Sequence, residues 1–261
     1  MSLAERAAPL PDDRGWPRVR RGVRLVRVIW HCLYGVCLAA WLRAASDPHQ
    51  PRIRRAARAW AAQLLEILHV RVIWRGPAPG SGMFVVSNHV SWLDIPVLLA
   101  HGDLYFLSKA EVRDWPVVGR LAQAIGTLFI RRGGGESGRK AEEIAASLQV
   151  GRSLCVFPEG TTTAGHTVRR FHSPLFAAPL RAGARVQPVA LRYQDGAGVL
   201  DDDVPFIGED AFHSHLWRLL RRAHITVVVT CHAPLPPAPG QTATALAAQA
   251  QGVVEHALRR G

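Results

Sequence analysis

The chain has 261 residues, 48% of them hydrophobic, and a formal net charge of +12. This length fits one large domain, or one domain with an appendage, and it excludes a small module that could not bury a core. The positive charge is almost all arginine, because Lys109 and Lys140 are the only lysines, and this bias weakens it as evidence for nucleic-acid binding. An anionic membrane surface suits a basic, apolar-rich chain at least as well, and we expect no nucleic-acid partner.

The cysteines show neither a CxxC pair nor the spacing of a zinc site. Two lie in an N-terminal apolar segment and two in strand-like runs, and we expect all of them to be reduced in a cytosolic setting. They are Cys32, Cys37, Cys155 and Cys231. No cleavable signal peptide is expected, because the first apolar run begins late and lacks a small-residue cleavage site.

The N-terminal part of the chain predicts membrane association. Residues 1–15 are predicted to be disordered, and residues 16–69 to form basic, amphipathic helices. The apolar run Val28–Leu42 spans 15 residues, fewer than the roughly 20 that cross a bilayer comfortably. Arginines and interfacial aromatic residues surround it, which favours a helix that lies in or dips into the cytoplasmic leaflet of the cell membrane. A buried helix of a soluble protein is the alternative.

A second helix is predicted from Pro51 to Leu68, since apolar residues recur there at helical spacing among several arginines. Two basic helices ahead of a globular domain indicate a membrane-surface hairpin. Ordinary packing of this helix onto the domain is the alternative, and the two interpretations are compatible.

From about residue 70 to 240 the pattern changes to short β-branched runs that alternate with helix-like stretches. The expected strands are VRVIW, MFVVS, LYFLS, GTLFI, SLCVF, RVQPVALRY and HITVVVTC. Alternation of this kind predicts an α/β domain with a mostly parallel central sheet flanked by helices, followed by a C-terminal helix over residues 241–261. Functional groups are then expected where strands end and helices begin.

The stretch SNHVSWLDIP places His89 and Asp94 between a predicted strand and a predicted helix. An aspartate there can accept a hydrogen bond from one ring nitrogen and leave the other nitrogen as an outward base. No G-x-S-x-G nucleophile turn occurs in the chain. Such a base would therefore activate an external hydroxyl or water. A histidine that merely caps a turn is the alternative.

Three later stretches carry further candidate groups. GTLFIRR ends a strand in two arginines, which suit binding of a phosphate or carboxylate. A solvent-exposed strand end is the alternative. VFPEGTTT places Glu159 beside Gly160, which permits a substrate to approach the backbone closely. A turn with a surface glutamate is the alternative. VQPVAL carries Pro188 inside a strand, which predicts a sheet edge or a strand start. The loop GGGESGRK lacks the Lys-Ser or Lys-Thr of a nucleotide-binding P-loop.

These stretches, in this order, resemble the four sequence blocks of the glycerolipid acyltransferase family. The blocks here are N-H-x-S-x-x-D from Asn88, G-x-x-F-I-x-R from Gly126, F-P-E-G-T from Phe157 and V-x-P-V-A-L from Val186. The family includes 1-acylglycerol-3-phosphate acyltransferases. Any one block is a weak signal, whereas four in order at suitable spacing are specific.

The resemblance implies an O-acyltransferase in which His89 is the general base and Asp94 orients it. The acceptor is a lysolipid with a free hydroxyl, and the donor is acyl-CoA or acyl carrier protein, used as a co-substrate without a further cofactor or metal. The resemblance assigns acceptor binding to Gly126, Phe129, Arg132, Glu159, Gly160 and Thr161. Pro188 is implied at the acyl-donor site, and Lys109 is a further candidate phosphate contact.

One departure bears on the acceptor. Members that form phosphatidic acid usually continue F-P-E-G-T with arginine, whereas this chain has Thr162. We expect first a 1-acyl-sn-glycerol-3-phosphate type of acceptor, with Lys109 or other basic residues in compensation, and second a lyso-ornithine lipid. Two other classes are a metal-dependent hydrolase, which lacks histidine pairs at ligand spacing, and a non-catalytic basic membrane-binding protein.

Overall fold

A computed structural model describes residues 17–45, 47–130 and 137–260. Its seven-stranded sheet has the order β1-β7-β6-β2-β5-β3-β4, and every pair is parallel except β6 with β7. Helices cover both faces. The predicted α/β class with a mostly parallel central sheet is therefore confirmed.

All of the predicted strands are present, within two residues of the expected ends. The strands are β1 (Val70–Arg75), β2 (Phe84–Ser87), β3 (Leu104–Lys109), β4 (Leu128–Ile130), β5 (Ser153–Val156), β6 (Val186–Gln194) and β7 (Ile225–Cys231). The helices are α1 (Pro17–Ala45), α2 (Pro51–Ile67), α3 (Asp94–His101), α4 (Val118–Ala124), α5 (Ser137–Gln149), α6 (Ala177–Ala182), α7 (Phe212–Leu219) and α8 (Ala243–Arg260). Short 3-10 helices span Ala110–Asp114 and Ser173–Phe176. Helix α7 was not predicted.

The central strands are continuous runs of apolar residues because helices cover both of their faces. Every residue of β2 and of β5 is buried. One core cluster joins the sheet to α2, α3 and the end of α7. The other joins it to α5, α6 and α8. The site therefore rests on strands that are held from both sides.

Pro188 lies inside the sheet, in β6 between β2 and β7, so of the two predicted positions the sheet edge is wrong, while Pro188 does lie near the start of its strand. It is the third residue of its strand, where the pairing with β7 ends. Its carbonyl accepts a hydrogen bond from the backbone N–H of His232 at 3.0 Å. The carbonyl of His232 receives the side-chain amide of Gln187 at 3.3 Å, which substitutes for the N–H that proline lacks.

The two N-terminal helices pack onto the rest of the fold through one buried arginine each. Arg24 of α1 donates to the carbonyls of Arg222 and Ala223, which follow α7. Arg54 of α2 donates to Asp103 at 2.6 Å and to the carbonyl of Ile125 at 2.8 Å. Helix α2 also supplies leucines to the first core cluster. The predicted domain boundaries at residues 69 and 240 stay predictions, and residues 1–15 lie outside the described residues.

Helix α1 is also fixed to α2 by two reciprocal hydrogen bonds. His31 Nε2 donates to the carbonyl of Trp60 at 2.9 Å, and Trp60 Nε1 donates to the carbonyl of His31 at 3.1 Å. The two rings stack, with centroids 4.9 Å apart. Gly35 permits this close approach, because a Cβ there would lie 2.4 Å from Trp60 Nε1.

The outer face of α1 is apolar and exposed. Large hydrophobic side chains recur on it, and Trp30 and Trp41 are 73% and 69% exposed. The others are Val19, Val23, Val26 and Tyr34. Within the described residues, the segment Val19–Leu42 is long and apolar enough to cross a membrane, whereas the sequence predicted a run too short to do so comfortably. Length and composition alone are weak evidence for crossing.

Candidate active site

The candidate site lies at the carboxyl edge of the parallel strands. His89 follows β2, Phe157 follows β5 and Lys109 ends β3, and these strands are adjacent in the sheet. Carboxyl ends of parallel strands meet at one edge, where loops of different strands converge. The sheet topology therefore brings together residues that are far apart in sequence.

His89 and Asp94 form the pair that the sequence predicts. His89 Nδ1 lies 2.7 Å from Asp94 Oδ2. The same oxygen accepts the backbone N–H groups of Val90 at 2.7 Å and Ser91 at 3.0 Å, and Asp94 is fully buried. An ionised carboxylate accepts only, so Nδ1 carries the proton and Nε2 presents a lone pair. Nε2 has no hydrogen-bond partner among the described residues, which leaves it able to take a proton.

The other oxygen of Asp94 is held by a residue that the sequence analysis did not identify. Tyr193, in β6, donates its hydroxyl to Asp94 Oδ1 at 2.7 Å. Burial, and then the nearby charge of Asp94, raise the pKa of Tyr193 well above its usual value, so its hydroxyl stays protonated. The two residues lie 99 positions apart in sequence, and no motif spacing links them.

The turn from Asn88 to Asp94, which we term the base turn, is fixed to its neighbours by backbone contacts. The Asn88 side chain donates to the carbonyl of Leu191 at 2.9 Å and accepts the N–H of the same residue at 2.8 Å. The N–H of Thr163 donates to the carbonyl of His89 at 2.8 Å. These bonds hold the base turn between β6 and the segment after β5.

Glu159 supports the base turn from the third sequence block. Its Oε1 accepts the N–H of His89 at 2.8 Å, and its Oε2 accepts the N–H of Arg169 at 2.7 Å. The side chain is buried and is absent from the walls of the cavity described below. Burial raises the pKa of Glu159, and the two backbone hydrogen bonds partly oppose that rise. Both of its described hydrogen bonds are to backbone N–H groups of the protein, whereas the resemblance implied a contact with the acceptor.

The imidazole of His89 faces a large apolar cavity. Its ring stacks on Phe157, with centroids 4.0 Å apart and an interplanar angle of 14°. The cavity has a volume of about 1300 Å³, and helices α1 and α2 form part of its wall. Its aliphatic and aromatic lining suits an acyl chain, and His89 is part of that lining.

Polar residues from several elements line the same cavity. Lys109, Gly160 and Thr161, all named by the sequence analysis, are among its walls. Lys140, in the first turns of α5, is also there, so both lysines of the chain border it. Lys140 pairs with Glu143 at 2.6 Å. The cavity thus combines apolar walls with two cationic side chains.

Other predicted residues lie elsewhere. Gly126, with φ +75°, borders a second cavity near the opposite ends of the strands, against Tyr105. Phe129 lies under the guanidinium of Arg113, and neither it nor Pro188 lines the large cavity. Arg132 lies outside the described residues. Their roles at the acceptor and donor sites stay predictions.

Thr162 stands at the position where the resemblance leads us to expect arginine. Its Oγ1 donates to the carbonyl of Phe206, in the loop after β6. Both residues line the large cavity. The hydroxyl is therefore used within the protein, and the position offers no cation to a headgroup.

The described cysteines and metal-ligating residues suggest no further chemistry. Burial raises the pKa of the Cys155 thiol above its usual range and that of the Cys231 thiol to about 12, so both stay protonated. Across residues 17–45, 47–130 and 137–260, no three His, Cys, Asp or Glu side chains converge as metal ligands would.

Comparison with known proteins identifies the family. Residues 69–192 match the sequence model of the Acyltransferase family. The chain is 45% identical over 245 residues to a lyso-ornithine lipid O-acyltransferase of Pseudomonas aeruginosa, with 92% of this chain and 94% of that protein covered. The chain belongs to the acyltransferase family. This acyltransferase is also 37% identical to a 1-acyl-sn-glycerol-3-phosphate acyltransferase of Neisseria gonorrhoeae, over 59% of this chain and 61% of the relative.

A solved structure confirms the fold of the acyltransferase. The crystal structure of the 1-acyl-sn-glycerophosphate acyltransferase PlsC from Thermotoga maritima superposes with a TM-score of 0.67. The match covers 94% of this chain and 97% of that one, at 20% sequence identity. The family match and the nearly full-length relative make this chain an acyltransferase, and the solved structure shows that it has the same fold.

Proposed function

We propose that this acyltransferase moves a fatty acyl group from a thioester to the free hydroxyl of a lyso-ornithine lipid, with His89 as general base. The observation that carries the chemistry is the His89–Asp94 pair at the edge of the apolar cavity. His89 Nδ1 is fixed at 2.7 Å from a fully buried carboxylate, and its other nitrogen is free among the described residues.

The reaction needs one proton transfer in each direction. His89 Nε2 takes the proton of the acceptor hydroxyl as its oxygen attacks the thioester carbonyl, and a tetrahedral intermediate forms. Its collapse breaks the carbon–sulfur bond, and His89 returns the proton to the departing thiolate. The ester and a free thiol are the products. Asp94 stabilises the imidazolium between these steps.

Direct transfer accounts for the missing enzyme nucleophile. The buried thiols of Cys155 and Cys231 stay protonated, and neither lines the large cavity. Cys32 of α1 does line it, and burial raises the pKa of its thiol as well, which disfavours the thiolate. A hydroxyl delivered by the acceptor requires only a base and a place for the acyl chain. The apolar wall next to His89 supplies that place.

Two observations favour the ornithine acceptor. The relative that matches nearly the whole chain is named a lyso-ornithine lipid O-acyltransferase. Thr162 offers a hydroxyl, already bonded to Phe206, where a phosphate acceptor would gain from a guanidinium. An ornithine headgroup carries a carboxylate and an amine, so its binding site needs fewer cationic side chains than a site for a phosphate does.

The second candidate acceptor is 1-acyl-sn-glycerol 3-phosphate. The Neisseria relative is named for it, and Lys109 and Lys140 at the large cavity are suitable phosphate ligands. The sequence analysis placed this acceptor first. The wider match to the Pseudomonas relative changes our order of preference.

The exposed apolar face of α1 supports a membrane location for this enzyme, and we place that face in the cytoplasmic leaflet. Helix α1 forms part of the cavity wall with its inner side, while its outer side exposes Trp30 and Trp41. Aromatic side chains and flanking arginines suit the headgroup region of an anionic bilayer. A lipid acceptor would then enter the cavity from the membrane surface.

The test is an acyl-transfer assay with the full chain in vesicles. Acyl-CoA and acyl carrier protein are supplied in separate arms, each with lyso-ornithine lipid or 1-acylglycerol 3-phosphate. We expect a higher kcat/KM for lyso-ornithine lipid with whichever donor is used. Transfer to 1-acylglycerol 3-phosphate alone would support the second candidate, and transfer to neither would reject both.

A further inference from the structure

The geometry points to Tyr193 as a positioning residue that sets the proton affinity of the His89–Asp94 pair through its hydrogen bond to Asp94. Tyr193 comes from β6, outside the base turn, and touches the carboxylate at 2.7 Å. This inference rests on His89 acting as the base of the proposed function. It adds a residue to which none of the sequence blocks assigned a role.

Tyr193 completes the hydrogen bonding of a buried charge. A carboxylate offers about four acceptor positions. Oδ2 of Asp94 takes three donors, from the His89 ring and the N–H groups of Val90 and Ser91. Oδ1 takes the Tyr193 hydroxyl, which is its single described partner. Without that hydroxyl, one oxygen of a fully buried anion would have no donor among the described residues.

The direction of the effect follows from this count. A hydrogen bond to the charged form of a carboxylate stabilises that form and lowers its attraction for a proton. The bond therefore makes the negative charge next to His89 less basic. Loss of the Tyr193 hydroxyl should make the pair hold a proton more tightly, so that the pair becomes protonated at higher pH.

The other titratable groups around the pair are few. Cys155, on β5, feels the charge of Asp94 but stays protonated because burial raises the pKa of its thiol. Glu159 faces His89 from the turn after β5, and Glu111 is a second carboxyl that lines the same cavity. Lys109, His172 and Lys140 border the cavity with His89. None of these residues touches Oδ1 of Asp94.

The chain provides a matched control at its other buried tyrosine. Tyr105 also hydrogen-bonds through its hydroxyl, to His49 Nδ1 at 3.2 Å, but it borders the second cavity. Tyr193→Phe and Tyr105→Phe each remove one buried hydroxyl and keep the ring. A general cost of losing such a hydroxyl would appear in both variants.

The experiment measures kcat and kcat/KM against pH, together with Tm, for the full chain in vesicles. At acidic pH, kcat/KM falls as the His89–Asp94 pair takes up a proton. In Tyr193→Phe we expect this fall, the acidic limb of the profile, to shift to higher pH by about 0.5 to 1 pH unit, because the pair then binds its proton more tightly. We expect kcat at pH 7 to fall about tenfold and the acceptor KM to change less than about twofold. In Tyr105→Phe, both the limb and kcat should match those of the unchanged protein.

A second form of the protein guards against misfolding of Tyr193→Phe. Replacement of all tyrosines by 3-fluorotyrosine keeps the side-chain shape but makes each phenol a stronger donor. The acidic limb should then move down, and it should do so equally in a Tyr105→Phe background. An unmoved limb in both the phenylalanine and the fluorotyrosine proteins overturns the inference, as does an equal shift in Tyr105→Phe.

Failure of the inference can be told apart from failure of the proposed function. If His89→Ala retains full activity, His89 is not the base and the proposed function is rejected. If His89→Ala is inactive while Tyr193→Phe keeps the normal pH profile and rate, the base is correct and only the role of Tyr193 is rejected.

Discussion

The Asn88 and Asp94 side chains of the base turn differ from the polar side chains that line the cavity in how completely the protein uses their hydrogen-bonding groups. In the base turn, both oxygens of Asp94 are occupied and the Asn88 side chain is bonded in both directions. Lys109 and Thr161 line the cavity, and no described hydrogen bond occupies their side chains, whereas Lys140 is paired with Glu143. We term Lys109 and Thr161 the cavity rim.

This difference assigns the acyl-transfer chemistry to the base turn and the selection of the acceptor to the cavity rim. A group whose bonds are all made within the protein presents the same geometry to every acceptor. A group that faces open space can bind one headgroup better than another. Changes in the base turn should therefore lower kcat for all acceptors, whereas changes in the cavity rim should alter the ratio between acceptors.

The largest effect is expected at His89. His89→Ala removes the base and should lower kcat by roughly 10²–10⁴-fold with either acceptor. The measurement is steady-state acyl transfer, with circular dichroism to confirm folding. His213→Ala serves as the control, since this exposed histidine of α7 does not line the large cavity. Activity that survives in His89→Ala would remove the base turn from the chemistry.

Asp94→Asn should have the next largest effect. The asparagine amide carries no negative charge, so it no longer stabilises the His89 imidazolium. It also no longer favours the His89 tautomer that has its proton on Nδ1. We expect kcat to fall by roughly 10²–10³-fold with the KM of each acceptor almost unchanged. The control is Asp202→Asn, at an exposed residue that does not line the large cavity. A KM effect larger than the kcat effect in Asp94→Asn would contradict the assignment.

Glu159→Gln distinguishes support of the base turn from acceptor binding. Glutamine can accept one of the two backbone N–H groups of His89 and Arg169 but presents its own N–H to the other. We expect kcat to fall about tenfold, with less than a threefold change in either acceptor KM. Glu255→Gln, on α8, is the matched control. A selective rise in acceptor KM would instead return Glu159 to the headgroup site.

Lys109→Gln tests the cavity rim. Loss of a charged hydrogen-bond donor should raise the KM for 1-acylglycerol 3-phosphate about tenfold, and that for lyso-ornithine lipid less, since its carboxylate carries less charge. The comparison is made by titrating each acceptor at fixed donor concentration. Equal effects on kcat for both acceptors would place Lys109 with the chemistry rather than with specificity.

The smallest effect is expected on membrane binding. Val23→Ser with Val26→Ser removes two exposed apolar side chains from α1 and should weaken vesicle partitioning about fivefold. Val150→Ser with Val199→Ser makes the same change at exposed valines elsewhere and should leave partitioning unchanged. Sedimentation with anionic vesicles measures both. Equal loss in the two double variants would contradict the role of α1.

The sequence predicted the sheet well because its strands are short apolar runs between clear breaks. It did not predict α7, since this helix is a single segment of eight residues, FHSHLWRL, shorter than the window over which helical periodicity is recognised. It predicted a sheet edge or a strand start for Pro188, and the edge is wrong because the Gln187 amide that satisfies the carbonyl of His232 is visible only in three dimensions. Local propensity is a weak guide where a distant side chain supplies the missing donor.

The site was predictable where its residues are close in sequence. His89 and Asp94 belong to one turn, so their spacing indicates the pair. Tyr193 reaches Asp94 from a strand about a hundred residues later, and only the pairing of β2 with β6 brings them together. The bonds of Glu159 to backbone N–H groups were equally hidden, because a sequence motif does not show which way a side chain points.

The most direct test of this account is the ratio of kcat/KM for lyso-ornithine lipid to that for 1-acylglycerol 3-phosphate, in three proteins. These are the unchanged chain, Asp94→Asn and Lys109→Gln, assayed in the same vesicles with the same donor. We predict that Asp94→Asn lowers both values and keeps their ratio, while Lys109→Gln shifts the ratio toward lyso-ornithine lipid. A changed ratio in Asp94→Asn, or an unchanged one in Lys109→Gln, would contradict the division between base turn and cavity rim.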